Sequence, residues 1–170
     1  MPPAARPAQL PLFVRRLYSP RRSGYPTAIM AYGALVERTV PMSRAEFFAR
    51  LADFGGINRF MPEIESIEMR GDGVGAVRTV RIKGIPLGME ERLEALVDGR
   101  LLSYSIINDT PLPMQHYHAV VELDDAPGGG CRVRWGSNWV AKGVDDATVQ
   151  TMLVGLYERL IEGIAGTPGR

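Results

Sequence analysis

Cysteine is almost absent from this chain. The one thiol, Cys131, cannot close an intramolecular disulfide and cannot build a cysteine-rich zinc site. That usage fits a reducing compartment, and a cytoplasmic location is the expectation. Histidine is nearly as scarce, with only His116 and His118. Net charge is close to nil, +1 over 170 residues, so no global field argues for nucleic acid or an anionic membrane as partner. No apolar run is long enough to span a bilayer. Internal repeats and a second domain signal are missing too. What is present is ordinary for a globular protein: 45% apolar and 23% charged residues, in a length that supports one domain with a real core.

Acids are missing from the first stretch, up to about Thr27. It holds Pro2, Pro3, Pro7, Pro11, Pro20 and Pro26 among Arg6, Arg15, Arg16, Arg21 and Arg22. Its apolar piece, residues 10–14, is interrupted by Pro11 and precedes the Arg15, Arg16 pair, which is the wrong order for a signal peptide. Residues 1–29 read as a disordered tail or an over-extended start with Met30 as initiator; the alternative is a targeting or anion-binding arm. Residues 30–166 read as a single domain.

Alternation over Tyr32, Ala34, Val36, Arg38 and Val40 predicts a first strand. Ser43 and Glu46 form a capping box, followed by Phe47, Phe48, Leu51 and Phe54 at helical spacing, with Gly55 and Gly56 expected to stop that helix. A short turn is expected over residues 57–61. Strands then come in series: 64–69, 76–82, a hairpin within 84–108, 115–123 and 131–141. A glycine cluster at Gly71, Gly73 and Gly75 is a hairpin connection, because no helix follows to present amides to a phosphate. The chain ends in a long helix with Asp145 and Asp146 at its start. Its apolar stripe is Val149, Met152, Leu153, Leu156, Leu160 and Ile164. The order strand, helices, about six antiparallel strands, long helix predicts an α+β domain in which a bent sheet wraps the helix and leaves a cavity.

The stretch 84–108 organises the rest. A Gly/Pro loop leads into an alternating strand, a turn at Asp98 and Gly99, and a second alternating strand. Glu91 shares the mostly apolar face with Leu93, Ala95 and Val97. A carboxylate there needs a partner, a water or a ligand. On the preceding strand, Arg78 and Arg81 lie on opposite faces, and the pattern does not settle which points inward.

Two further constellations carry chemistry. His116, His118 and Glu122 share a strand face and resemble the first metal motif of the cupins, but no third histidine exists. The opposite face, with Tyr117, Ala119, Val121 and Leu123, is the better core, which turns the histidines to solvent. Trp135 and Trp139 share a face with Val133 and Ser137. They line a pocket or fill the core. Ser137 has no His/Asp partner from which a hydrolase triad could be drawn.

Gly84, Ile85 and Pro86, then Glu91 to Leu93, Asp98, Tyr104 to Ile107 and Tyr117, resemble the plant abscisic acid receptors in order and near spacing. Those belong to the START/birch-pollen-allergen superfamily, also called SRPBCC or polyketide cyclase/dehydrase-like proteins. The resemblance spans residues 31–164, weakly at first and better from Gly84. It implies a helix-grip fold: a curved antiparallel sheet wrapped around a long C-terminal helix, with two short helices after the first strand. It also implies a gate loop at 84–88 containing Ile85 and Pro86, and a latch at 109–114. Glu91, Tyr104, Ile106, Tyr117 and Ala119 would line the cavity, faced by Met152 and Leu156 from the helix. The receptors' ligand-anchoring lysine has its counterpart at Asn58, beside Arg59, and the latch here reads Thr110, Pro111, Leu112, Pro113. Abscisic acid and a phosphatase partner are therefore not expected. A carboxylate ligand would need Arg59, Arg78 or Arg81 in place of the lysine.

Four functions follow as expectations. The first is binding of a small, mostly hydrophobic or aromatic molecule, with no cofactor, a cavity on the order of several hundred Å³, and polar contacts from Glu91, Tyr104 and Tyr117. The second is a polyketide cyclase or dehydratase in which Glu91, its pKa raised by burial, is the acid–base group and Tyr117 assists. The third is a metal site at His116, His118 and Glu122. The fourth is an interaction module whose cavity is filled by Trp135, Trp139 and Met152. An edge strand can also pair with a second copy to give a homodimer.

Overall fold

Alternation of buried and exposed residues sets up β1, Ala34–Val40, with Ala34, Val36 and Val40 turned inward. In the computed structural model, which describes residues 32–166, Ser43 then caps α1, Arg44–Ala52. The Ser43 side chain accepts from the Glu46 amide, and the Glu46 carboxylate accepts from the Ser43 amide at 3.2 Å. The expected stop at Gly55 and Gly56 is displaced. α1 ends at Ala52, and both glycines lie inside a following 3-10 helix, Phe54–Arg59. Gly56 sits close to the Asp53–Arg59 ion pair, whose side-chain ends a Cβ there would displace. The expectation for residues 1–29 lies outside the described residues.

Six strands follow: β2 Ile64–Arg70, β3 Val77–Ile82, β4 Met89–Val97, β5 Leu101–Ile106, β6 Met114–Asp125 and β7 Cys131–Ala141. Antiparallel pairing places them in the order β1-β7-β6-β5-β4-β3-β2, an open sheet with β1 and β2 as edges. The β4–β5 connection carries Gly99 at φ 64°, which suits glycine. The long helix α2, Asp146–Ala165, is capped by Asp145, whose carboxylate accepts from the Thr148 amide at 2.7 Å, and it ends on Gly166 at φ 70°.

The concave face of the sheet holds the core. Val133 and Trp135 from β7, Tyr117, Ala119, Val121 and Leu123 from β6, and Leu102 and Tyr104 from β5 are all buried. Against them α2 packs Val149, Leu153, Tyr157, Leu160, Ile161 and Ile164. Tyr157 and Ile161 are core residues that the expected stripe lacked, whereas Met152 remains 37% exposed at the stripe's edge.

Besides a register shift between Ile64 and Ser66 at the sheet's edge, two bulges interrupt strict alternation. One falls between Leu93 and Ala95, so the inward set expected on β4 (Leu93, Ala95, Val97) breaks there. Ala95 then pairs with Ser103, and Val97 is exposed. The other falls between Gln115 and His118, where His116 takes φ 53°.

Candidate functional site

A cavity of about 210 Å³ lies between α2 and the β3–β6 part of the sheet. Its walls are mostly aliphatic and thioether: Val80 and Ile82 from β3, Met89 from β4, Met114 from β6, and Met152, Leu153 and Leu156 from α2. Ile57 and Met61 close one side, and Leu112 contributes from the 109–114 loop. The volume falls below the several hundred Å³ expected, and a second buried charge sits on the wall.

That charge is Arg78. The β3–β4 register sets Arg78 opposite Glu91, so both point inward, and Nε of Arg78 meets Oε2 of Glu91 at 2.6 Å. Each residue is 7% exposed. Nη1 of Arg78 donates to the Phe54 carbonyl at 2.8 Å. The guanidinium carbon lies 4.0 Å from the Phe54 ring centroid and 5.4 Å from that of Tyr104. This answers the question left open on β3. Arg81 is the outward residue, near Glu68 at 3.7 Å. It also supplies the partner that Glu91 required on an apolar face.

Behind the ion pair runs a chain of hydroxyls. Tyr104 lies 3.3 Å from Tyr117, Tyr117 lies 2.7 Å from Tyr157, and Tyr157 donates to Ser137 at 2.5 Å. Burial pushes the Tyr104 phenol up to about 12, with the Glu91 charge adding to the shift. Burial raises Tyr117 and Tyr157 as well, with Tyr104 adding to both, while hydrogen bonds to Ser137 and Tyr117 offset part of the rise at Tyr157. All three are neutral at physiological pH. Trp135 stacks on Tyr157 at 5.6 Å and 14° between planes.

Of the expected site residues, Glu91, Tyr104, Ile106, Tyr117, Met152 and Leu156 line the cavity. Trp135 and Ser137 are buried behind it, and Ala119 belongs to the core. Asn58 and Arg59 are exposed, with Arg59 paired to Asp53, and neither lines the cavity. Ile85 is half-buried and Pro86 exposed in the 84–88 loop, and neither reaches the cavity wall. That loop is tied down at its end. Nδ2 of Asn108 donates to the Gly88 carbonyl, and Oδ1 accepts from the Glu90 amide, both at 2.9 Å. The 109–114 loop is held by Lys142, which meets Asp109 at 2.8 Å and the Thr110 carbonyl at 2.6 Å.

Arg78 is the residue that sequence reasoning left undecided. Val80 and Ile82 share its face, and that alternation was the available signal.

The expected metal constellation is not assembled. The bulge at His116 takes it out of register with His118. His118 meets the Ser105 hydroxyl at 3.0 Å, and Glu122 pairs with Arg134 at 3.0 Å. Among the described residues no group of three His, Cys, Asp or Glu side chains is placed to hold a metal. The filled-core arrangement is not assembled either. Trp139 packs on Gly33 at the sheet's end, and Met152 borders the cavity without filling it.

An open, curved antiparallel sheet gripping one long C-terminal helix, with two short helical turns after the first strand, is the helix-grip fold. Residues 34–167 match the family described as polyketide cyclase / dehydrase and lipid transport, and the chain belongs to it. That family match agrees with the resemblance to the START/birch-pollen-allergen, polyketide cyclase/dehydrase-like superfamily. A protein of Bacillus thuringiensis superimposes with a TM-score of 0.68 at 20% identity, covering 78% of this chain and 96% of its own. Ara h 8.0201 gives 0.63 at 21%, covering 78% and 93%. Truncated norcoclaurine synthase from Thalictrum flavum gives 0.63 at 16%, covering 77% and 89%. At these identities the likeness is one of fold. A search of curated protein sequences gives no match.

Proposed function

We propose that this protein binds a small, mostly hydrophobic molecule in the space between its sheet and α2. The observation that carries this reading is the apolar cavity of about 210 Å³ with a few convergent polar groups, Arg78, Glu91, Tyr104 and Tyr117, on its wall. Binding sites have that composition: apolar walls for affinity and a few placed polar groups for orientation. The family's description, which names lipid transport beside cyclase chemistry, supports the same reading.

The catalytic alternative, a cyclase or dehydratase working through Glu91 and Tyr117, has less support. Glu91 is engaged by Arg78 at 2.6 Å, and burial holds the Tyr117 phenol well above its ordinary range. The Tyr117 phenol is not a ready proton carrier at neutral pH.

The test is native mass spectrometry of freshly purified protein, followed by denaturing extraction. A discrete small molecule is expected on the wild type and absent from Leu156→Trp, which fills the cavity while circular dichroism stays unchanged. A clean apo mass, together with no thermal stabilisation by added 2-naphthol, overturns the reading.

A further inference from the structure

We propose that the cavity takes an uncharged, largely apolar ligand bearing a hydroxyl group, alcohol or phenol, and that Arg78 and Glu91 grip that hydroxyl together. This rests on the cavity reading above and names its ligand class. Three observations converge on it.

The first is charge balance. The ionisable side chains on the wall with formal charge are Glu63, Arg78, Glu91 and Arg159. They form two opposite pairs, Arg78–Glu91 at 2.6 Å in the interior and Arg159–Glu63 at 3.9 Å between half-exposed groups. A carboxylate ligand would bring an uncompensated negative charge beside Glu91, and an ammonium would bring a positive one beside Arg78. Either is costly away from water.

The second is valence. Arg78 commits Nε to Glu91 and Nη1 to Phe54, while Nη2 has no hydrogen-bond partner among the described residues; Oε1 of Glu91 has none either. Neither atom is sealed off, since among the described residues Trp135 Nε1 is the lone buried side-chain N or O without a partner. The pair therefore keeps unused N–H donors on Arg78 and an unused acceptor on Glu91. A hydroxyl satisfies both with a single oxygen.

The third is the direction of the tyrosine chain. Tyr157 donates to Ser137, so the Tyr117 hydrogen goes to Tyr157 and the Tyr104 hydrogen to Tyr117. Every phenol hydrogen is consumed in the direction of Ser137, and none is left for a ligand. A ketone or ether could take the Arg78 donor, but it would cover Oε1 of Glu91 without pairing it, and a buried unpaired acceptor is penalised.

Isothermal titration with three probes on one ring system tests this: 2-naphthol, 2-methoxynaphthalene and 2-naphthoate. Wild-type protein is expected to bind 2-naphthol about tenfold or more tightly than the ether, with 2-naphthoate weakest. In the double variant Arg78→Met with Glu91→Leu, the preference for naphthol over the ether should shrink to about twofold or less while the ether still binds. Equal wild-type affinity for naphthol and ether, or tightest binding of naphthoate, overturns the hydroxyl assignment and leaves the cavity reading standing. Failure of all three probes to bind the wild type removes both.

Discussion

Replacing Arg78 by methionine would strand Glu91 in an apolar wall, and the cost can be worked from the contacts. The two side chains meet at 2.6 Å and are 8% and 9% exposed, so solvent screens them little. Breaking a buried pair by removing one partner costs about 3–5 kcal/mol. Oε1 of Glu91 borders the cavity, where water can reach it, so the low end, about 3 kcal/mol, applies. Losing the hydrogen bond to the Phe54 carbonyl adds about 1 kcal/mol. Arg78→Met should therefore cost about 4 kcal/mol in urea unfolding. Glu91→Leu should cost a similar amount, because it strands the guanidinium. The double variant should recover most of the loss and fall within about 1–2 kcal/mol of the wild type, since an apolar pair of similar volume replaces ions that no longer need partners. The assay is a double-mutant cycle of chemical unfolding with a coupling of about 6–7 kcal/mol. Single variants that each lose under about 1 kcal/mol, or a double variant that loses the sum, would refute the reasoning.

Two further outcomes follow from the interior and from α2. The folded Tyr104 phenol ionises at about 12 against an ordinary value of about 10, so its contribution is fully present below about pH 10 and lost as pH rises through about 12. That is a loss of about 3 kcal/mol between those limits, with Tyr117 and Tyr157 acting in the same direction, and a flat stability from pH 9 to 11.5 by circular dichroism would contradict it. Within α2, Gly155→Ala should gain about 1 kcal/mol, since its new Cβ meets nothing nearer than the Arg159 guanidinium at 3.6 Å. Gly163→Ala should lose about 1–3 kcal/mol despite the same propensity gain, because its Cβ would sit 2.6 Å from the Phe60 carbonyl. Equal shifts in urea midpoint for the two variants would show that the helix does not approach Phe60 so closely.

Local signals were legible where the cause is local. The capping box at Ser43 and Glu46, the glycine turn at Gly99, the strand over Cys131–Ala141 and most of the apolar stripe of α2 each follow from nearest neighbours along the chain. Bulges were not legible. The irregularities near Leu93 and His116 arise from how two strands must curve together, which neither strand specifies alone. This is why the histidine pair and Glu122 looked like a shared face. The site was half-legible for the same reason. Glu91, Tyr104 and Tyr117 could be assigned to an inward face by period two, but for Arg78 against Arg81 the sequence offered only the shared face of Val80 and Ile82, and register decided.

By itself, the sequence determined the order of elements, the inward face of most strands and the need of Glu91 for a partner. Those follow from periodicity and from the cost of burying charge, both readable one residue at a time. Only the tertiary structure decided that the partner is Arg78, that Tyr157 joins Tyr104 and Tyr117 to Ser137 across the helix–sheet interface, and that a cavity of about 210 Å³ is left beside them. Each of these joins residues far apart in the chain, and their distances are set by strand register and by where α2 comes to rest on the sheet.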